Sequence, residues 1–213
     1  MVIPTGRPRR IRETYVSVDI EADGPIPGPN SMLSLGAAAF AVDGTHLATF
    51  SVNFQPLPGA TPDPETMEWW RGFPEAWAAA TRNQHNPLDA MTDFRHWVEA
   101  LPGKPVMIAY PAGYDFLWTH WYLHRFTGGT PFSHSALDIK TVAMMLLNRG
   151  YRDATKRNWL PAWFAPDAPH THHAADDALE QGRSFFAMLD DANLRRAERQ
   201  RLLAVFADRE LIA

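Results

Sequence analysis

In TYVSVDIEADG, residues 14–24, apolar and polar side chains alternate with a period of two. Val16, Val18 and Ile20 fall on one face and Ser17, Asp19 and Glu21 on the other, the pattern of a strand with one face in a core. Residues two apart on a strand share a face, so Asp19 and Glu21 sit side by side, about 7 Å apart at the backbone. Two carboxylates so placed repel, and one moves toward protonation unless a cation lies between them. A hard divalent cation resolves the conflict, since Mg²⁺ binds through one or two carboxylates together with substrate phosphates. The plainer alternative is a polar strand end running into the Gly/Pro-rich loop 22–30.

Outward from this strand, residues 32–42 (MLSLGAAAFAV) and 46–56 (HLATFSVNFQP) flank the Asp43-Gly44 turn signal, so three antiparallel strands open the fold. After a Pro-rich break come helical stretches at 65–72, 74–81 and 87–101, the last ended by Pro102-Gly103. Residues 104–110 (KPVMIAY) read as a buried strand. A helix from Asp115 to 126, closed by Gly128-Gly129, follows it. A fifth strand at 135–139, a helix at 140–150, an irregular aromatic stretch at 151–173 and two closing helices at 174–189 and 193–211 complete the chain. A meander followed by alternating strand and helix implies an α/β fold: a mixed five-stranded sheet, three antiparallel strands then parallel additions, flanked by helices. Residues 14–213 read as a single domain. Residues 1–13, with Arg7, Arg9, Arg10 and Arg12 among Pro and Gly, read as a flexible arm.

The chain has 213 residues, enough for a substantial core, and no cysteine, which excludes disulfides, thiolate catalysis and cysteine-bound zinc. No apolar run approaches the roughly 20 residues of a membrane helix, so the expected location is cytoplasmic. With 20 basic against 24 acidic residues, the chain lacks the basic excess of non-specific nucleic-acid coats. A polyanion would have to be met by metal ions or a local patch.

Two further segments carry chemistry. Asp115 follows the buried strand 104–110, where strand ends face the cleft of such sheets, though an Asp at a helix start is also a good N-cap. PHTHHAADDALEQG, residues 169–182, gathers three His and two Asp about a helix start. A zinc site on His170, His172 and His173, or on the His120/His124 pair in HWYLH, is an alternative with poor ligand spacing or no third ligand.

Taken together, VDIEADG with Asp19 and Glu21, YPAGYDF with Asp115, and HHAADDA with His172 and Asp177 resemble the three blocks of the DEDDh (DnaQ-like) 3'-5' exonucleases, of RNase H-like fold, and in particular the small stand-alone exoribonucleases. In that register Asp176 and His173 are bystanders. Pro111 stands where the family has Asn, and Asp138 in ALDIKTVA resembles a supporting residue. The resemblance implies two divalent cations, Mg²⁺ or Mn²⁺, held by Asp19, Glu21, Asp115 and Asp177, with His172 as general base toward the attacking water. It implies single-stranded nucleic acid as substrate, RNA or short oligoribonucleotides slightly preferred, and nucleoside 5'-monophosphates as product. It also places the backbone of Ala22 and Asp23 against the last nucleotide, and implies a homodimer.

Arg149, Arg152, Lys156 and Arg157, interleaved with Tyr151 and Trp159, read either as a single-strand groove or as a solvated loop. Trp69 and Trp70 are base-stacking candidates or core. A DNA-trimming exonuclease and a catalytically inactive binding module are the competing functions. The apolar residues of the last helix, Leu202, Leu203, Val205 and Phe206, suit packing on this domain or on a partner.

Overall fold

In a computed structural model, residues 12–164 and 171–210 are described, with side chains to residue 201. The alternating segment forms β1 (Glu13–Ala22), paired antiparallel to β2 (Met32–Ala41), which pairs antiparallel to β3 (His46–Asn53). On its other side β1 runs parallel to β4 (Lys104–Ala109), and β4 to the two-residue β5 (Leu137–Asp138). The order β3-β2-β1-β4-β5 places β1 at the centre. Residues 1–11 of the expected arm lie outside the described residues. Glu13 already belongs to β1, and the Arg12 carbonyl accepts from the Lys104 N–H at 2.8 Å.

Both faces of the sheet are covered. Val16, Val18 and Ile20 pack with Phe94, Trp118 and Tyr122 of α3 (Pro87–Glu99) and α4 (Ala112–Thr127). On the opposite face Phe40 packs with Phe185 and Phe186 of α6 (Ala174–Glu210) and Ile139 of α5 (Ile139–Leu147). Two glycines let α6 lie directly on the strands. A Cβ at Gly36 would fall 2.1 Å from the backbone of Ala174 and Ala175, and one at Gly182 would fall 2.3 Å from the Phe40 ring. Only a residue without a Cβ permits so close an approach.

Three expectations change. The two closing helices are one helix, α6, of 37 residues, about 55 Å long at 1.5 Å per residue. The Asp190-Asp191 stretch holds no Gly or Pro to break it. Instead, Asp191 pairs with Arg195 one turn on at 2.8 Å and accepts from the Trp163 indole N–H at 3.1 Å, which ties the helix together and to the core. The side chains of Leu202, Leu203, Val205 and Phe206 lie outside the described residues.

Secondly, α4 starts at Ala112, three residues early. Its N-cap is Pro111, not Asp115, and the Ala112 N–H is satisfied by Asp138 Oδ1 at 3.0 Å. The other Asp138 oxygen caps α5 through Thr141 N at 2.9 Å, so one carboxylate serves two helix starts, support and cap at once. Thirdly, 151–164 folds into three short 3₁₀ turns, Tyr151–Asp153, Lys156–Asn158 and Pro161–Trp163, which bury Trp159 and Trp163. Among the described residues, no helix is long and apolar enough to cross a membrane.

Candidate active site

The pairing of β1 with β4 ends at Ser17 opposite Ile108, so Asp19 to Glu21 run on past the end of β4. β2 alone continues beside them, with Asp19 opposite Gly36 and Glu21 opposite Ser34. The Ile20 N–H, left without a β4 partner, donates to Asp115 Oδ1 at 3.2 Å. That contact sets a third carboxylate, 3% exposed, beside Asp19 and Glu21.

The histidine arrives from the start of α6. Asp177, one turn into the helix, accepts from the backbone N–H of Thr171 at 2.8 Å and of His172 at 2.9 Å. Those bonds fold the preceding loop back over the helix start, and His172 adopts a left-handed backbone with φ of 56°, a region that His enters more readily than most residues. Ligand atoms of Glu21, His172 and Asp177 then lie within 4.8 Å of one another. The five residues singled out from the sequence, Asp19, Glu21, Asp115, His172 and Asp177, are brought to one place by three separate elements.

Carboxylates crowd together here. Burial pushes the Glu21 carboxyl up to about 9, with Asp19 and then Asp177 adding to it. Asp115 is also raised well above the ordinary carboxylate range, first by burial and then by Asp19, while the Ile20 N–H opposes the rise. Burial, Asp115 and Glu21 together push the neighbouring Tyr114 phenol to about 12, so it stays a hydrogen-bond donor, to the Gly24 carbonyl at 3.1 Å. Oxygen-rich and crowded with carboxylates, this partly buried donor set fits hard divalent cations.

Helices α1 (Pro64–Trp70) and α2 (Pro74–Thr81) form a wall beside the histidine. Trp69 is 44% exposed and meets the His172 ring edge-on at 5.2 Å, and Phe73 meets it at 4.5 Å. Trp70 corrects the paired stacking expectation: it is 2% exposed, packs with Leu33, Ala76 and Ala80, and its indole N–H donates to the Ala22 carbonyl at 3.0 Å. It props the strand end from behind and offers no face to a base.

The backbone of Asp23 is equally committed. Its N–H donates to the Ser31 carbonyl and its carbonyl accepts from the Asp63 N–H, while the Ala22 carbonyl is taken by Trp70. These bonds occupy the Asp23 N–H and give each of the two carbonyls one donor. Lys156 is bound to Glu180 and lies 5.7 Å from the centre of the Tyr110 ring. Arg149 and Arg157 are exposed, and Trp159, 5% exposed, belongs to the core.

Among the described residues, no set of three histidines gathers at metal-binding distance. His173 pairs with the exposed Asp176 at 3.5 Å, and His170 lies outside the described residues. His120 and His124 adjoin each other on the face of α4 opposite Asp115. Sequence reasoning missed Tyr114, Phe73 and Gln181. For Gln181 a signal existed, its place one turn after Asp177 on the same helix face.

The central strand bearing two carboxylates, the third at the start of α4 and the Asp-His pair at α6 define a 3'-5' exonuclease of the DEDDh, RNase H-like class. The chain belongs to the Rv2179c-like 3'-5' exoribonuclease domain family, which it matches over residues 14–189. It is 29% identical over 185 residues to the 3'-5' DNA exonuclease Cap18 of Escherichia coli, covering 83% of this chain and 92% of that protein. Its fold is similar to the nuclease domain of 3'hExo, a DEDDh family member bound to rAMP, with a TM-score of 0.65 at 10% identity, covering 84% of this chain and 93% of that one. It is also similar to Pop2p of S. pombe in a Mg²⁺- and Mn²⁺-bound form, with a TM-score of 0.55 at 19% identity over 83% and 82% of the two chains.

Proposed function

We propose that the protein shortens single-stranded nucleic acid from the 3' end, releasing nucleoside 5'-monophosphates, with Asp19, Glu21, Asp115 and Asp177 holding two Mg²⁺ or Mn²⁺ ions. The observation that carries this reading is the convergence of Glu21, His172 and Asp177 within 4.8 Å beside Asp19 and Asp115. Paired ions stabilise both the entering and the departing oxygen of an in-line phosphoryl displacement. The chain's own part is positioning and proton transfer. His172, held against Trp69 and Phe73, takes the proton of the attacking water as general base.

Trp69 is the one of the two tryptophans with surface left for a terminal base. Arg149 and Arg157 are exposed and suited to backbone phosphates, whereas Lys156 is held by Glu180. RNA or short oligoribonucleotides are the favoured substrate, in line with the family's description. DNA is the second reading, favoured by the similarity to a DNA exonuclease.

The test is digestion of matched 5'-labelled single-stranded RNA and DNA in Mg²⁺ or Mn²⁺, with Asp177→Ala and His172→Ala beside the wild type. A ladder of 3'-shortened products, lost in both variants, is expected, and the faster strand assigns the sugar. Folded wild-type protein that cleaves neither strand would overturn the proposal in favour of a binding module.

A further inference from the structure

Gln181 lies one helical turn after Asp177 and is 2% exposed. Its side-chain Nε2 donates to the Val18 carbonyl at 3.2 Å and to Asp19 Oδ1 at 3.3 Å. The Val18 carbonyl can only accept, so the amide presents its NH₂ end to the strand, and the same nitrogen donates to Asp19 Oδ1. A glutamine whose amide nitrogen serves one strand carbonyl and one catalytic-site carboxylate is more than a space-filler.

The helix backbone that carries the amide lies close against the sheet. Gly182, the next residue, touches the Phe40 ring and Ser17, and Gly36 touches the helix start, so α6 rests backbone-close on β1 and β2. The Val18 carbonyl acts as a second anchor that fixes the amide plane. Asp19 Oδ1 is thereby engaged by a neutral donor, which orients the carboxylate beside Glu21 and Asp115.

We infer that Gln181 is a positioning residue that orients Asp19 for divalent-cation binding, and so sets the cation affinity of the site. The inference rests on the reading that these carboxylates hold metal. Groups that orient metal ligands from behind typically contribute 10–100-fold to metal affinity when removed. The requirement is for a donor: glutamate, of nearly the same shape, would set a further negative charge against Asp19 instead.

The experiment is Mn²⁺ titration of the full chain, followed by the electron paramagnetic resonance signal of free Mn²⁺, for wild type, Gln181→Leu and Gln181→Met, with thermal melts of each metal-free protein. The expected result is Mn²⁺ binding weakened about 10–100-fold in both variants, together with a raised Mn²⁺ requirement for activity that saturating metal largely rescues in Gln181→Leu. If Gln181→Leu is too unstable to fold, Gln181→Met, which nearly keeps the size and has no N–H to donate, carries the test alone. Variants that melt lower but bind Mn²⁺ as the wild type does would make Gln181 merely structural and overturn the inference. A wild type that binds no Mn²⁺ would overturn the metal reading itself, a result distinct from unchanged affinity in the variants.

Discussion

Replacing Glu21 by Gln in the metal-free protein should make it more stable, and increasingly so as pH rises. The Glu21 carboxyl is pushed from its ordinary value near 4.5 up to about 9, chiefly by burial and then by Asp19 and Asp177. Between those two values the folded protein keeps a proton that the unfolded chain has released. Unfolding therefore releases a proton, and stability falls as pH rises through this window, by up to about 1.4 kcal/mol per pH unit. Stability associated with the protonated group is fully present below about 4.5 and is lost by about 9. From pH 5.5 to 7.5 Glu21 alone thus costs at most about 3 kcal/mol, or about 6–12 °C in melting temperature for a chain of this size. Asp115, raised for the same reasons, tilts the curve in the same direction. The neutral isostere removes the contribution of Glu21, so the difference between variant and wild type should widen from pH 5.5 to 7.5. Calorimetric melts in EDTA at four pH values measure this directly. Added Mg²⁺ should raise the wild-type melting temperature most at high pH, where the carboxylates are short of protons, and should raise the variant less. A wild-type melting temperature that is flat or rising over this range in EDTA, or a variant curve parallel to it, would refute the reasoning.

Asp115→Asn keeps an acceptor for the Ile20 N–H but removes a charge from the cluster, so activity should fall by at least about 100-fold while the metal-free melting temperature holds or rises. Single-turnover assays beside melts separate the two effects, and a strongly destabilised variant would contradict the placement. Trp69→Phe retains an aromatic edge for His172 and Trp69→Ala does not; kcat should be nearly unchanged in the first and reduced about tenfold in the second, a cost on the scale of one aromatic contact. Equal losses in both would mean that the wall does not hold the histidine. Gly36→Ala places a Cβ against the backbone at the start of α6 and should destabilise by about 1–3 kcal/mol or more in urea unfolding, with loss of activity as Asp177 and His172 are displaced. A variant as stable and active as the wild type would show that α6 does not rest on β2 as closely as described.

The order and type of most elements are legible locally, because alternation and helical spacing are properties of a few neighbouring residues. β1, β2 and β3 stand close to where the alternation and the Asp43-Gly44 turn put them. The two helices expected at the end of the chain are one, because Asp191, between them, is held within the helix by Arg195 and Trp163. Asp115 likewise has the composition of a cap, while the cap group for α4 comes from Asp138, across the sheet edge.

The sequence by itself determined the alternating central strand, the mixed α/β succession and the five residues that the site gathers, since each is carried by a short motif. Only the tertiary structure decided which neighbours those residues acquire. The strand end protrudes past β4 so that Asp115 can reach Ile20, and two glycines lower α6 onto the sheet so that Gln181 can reach Asp19. Trp69 and Trp70, adjacent in sequence, face the site and the core respectively. The physical reason is the same in each case: local spacing sets the direction of a side chain relative to its own element, whereas burial, charge coupling and hydrogen-bond partners depend on how separate elements pack.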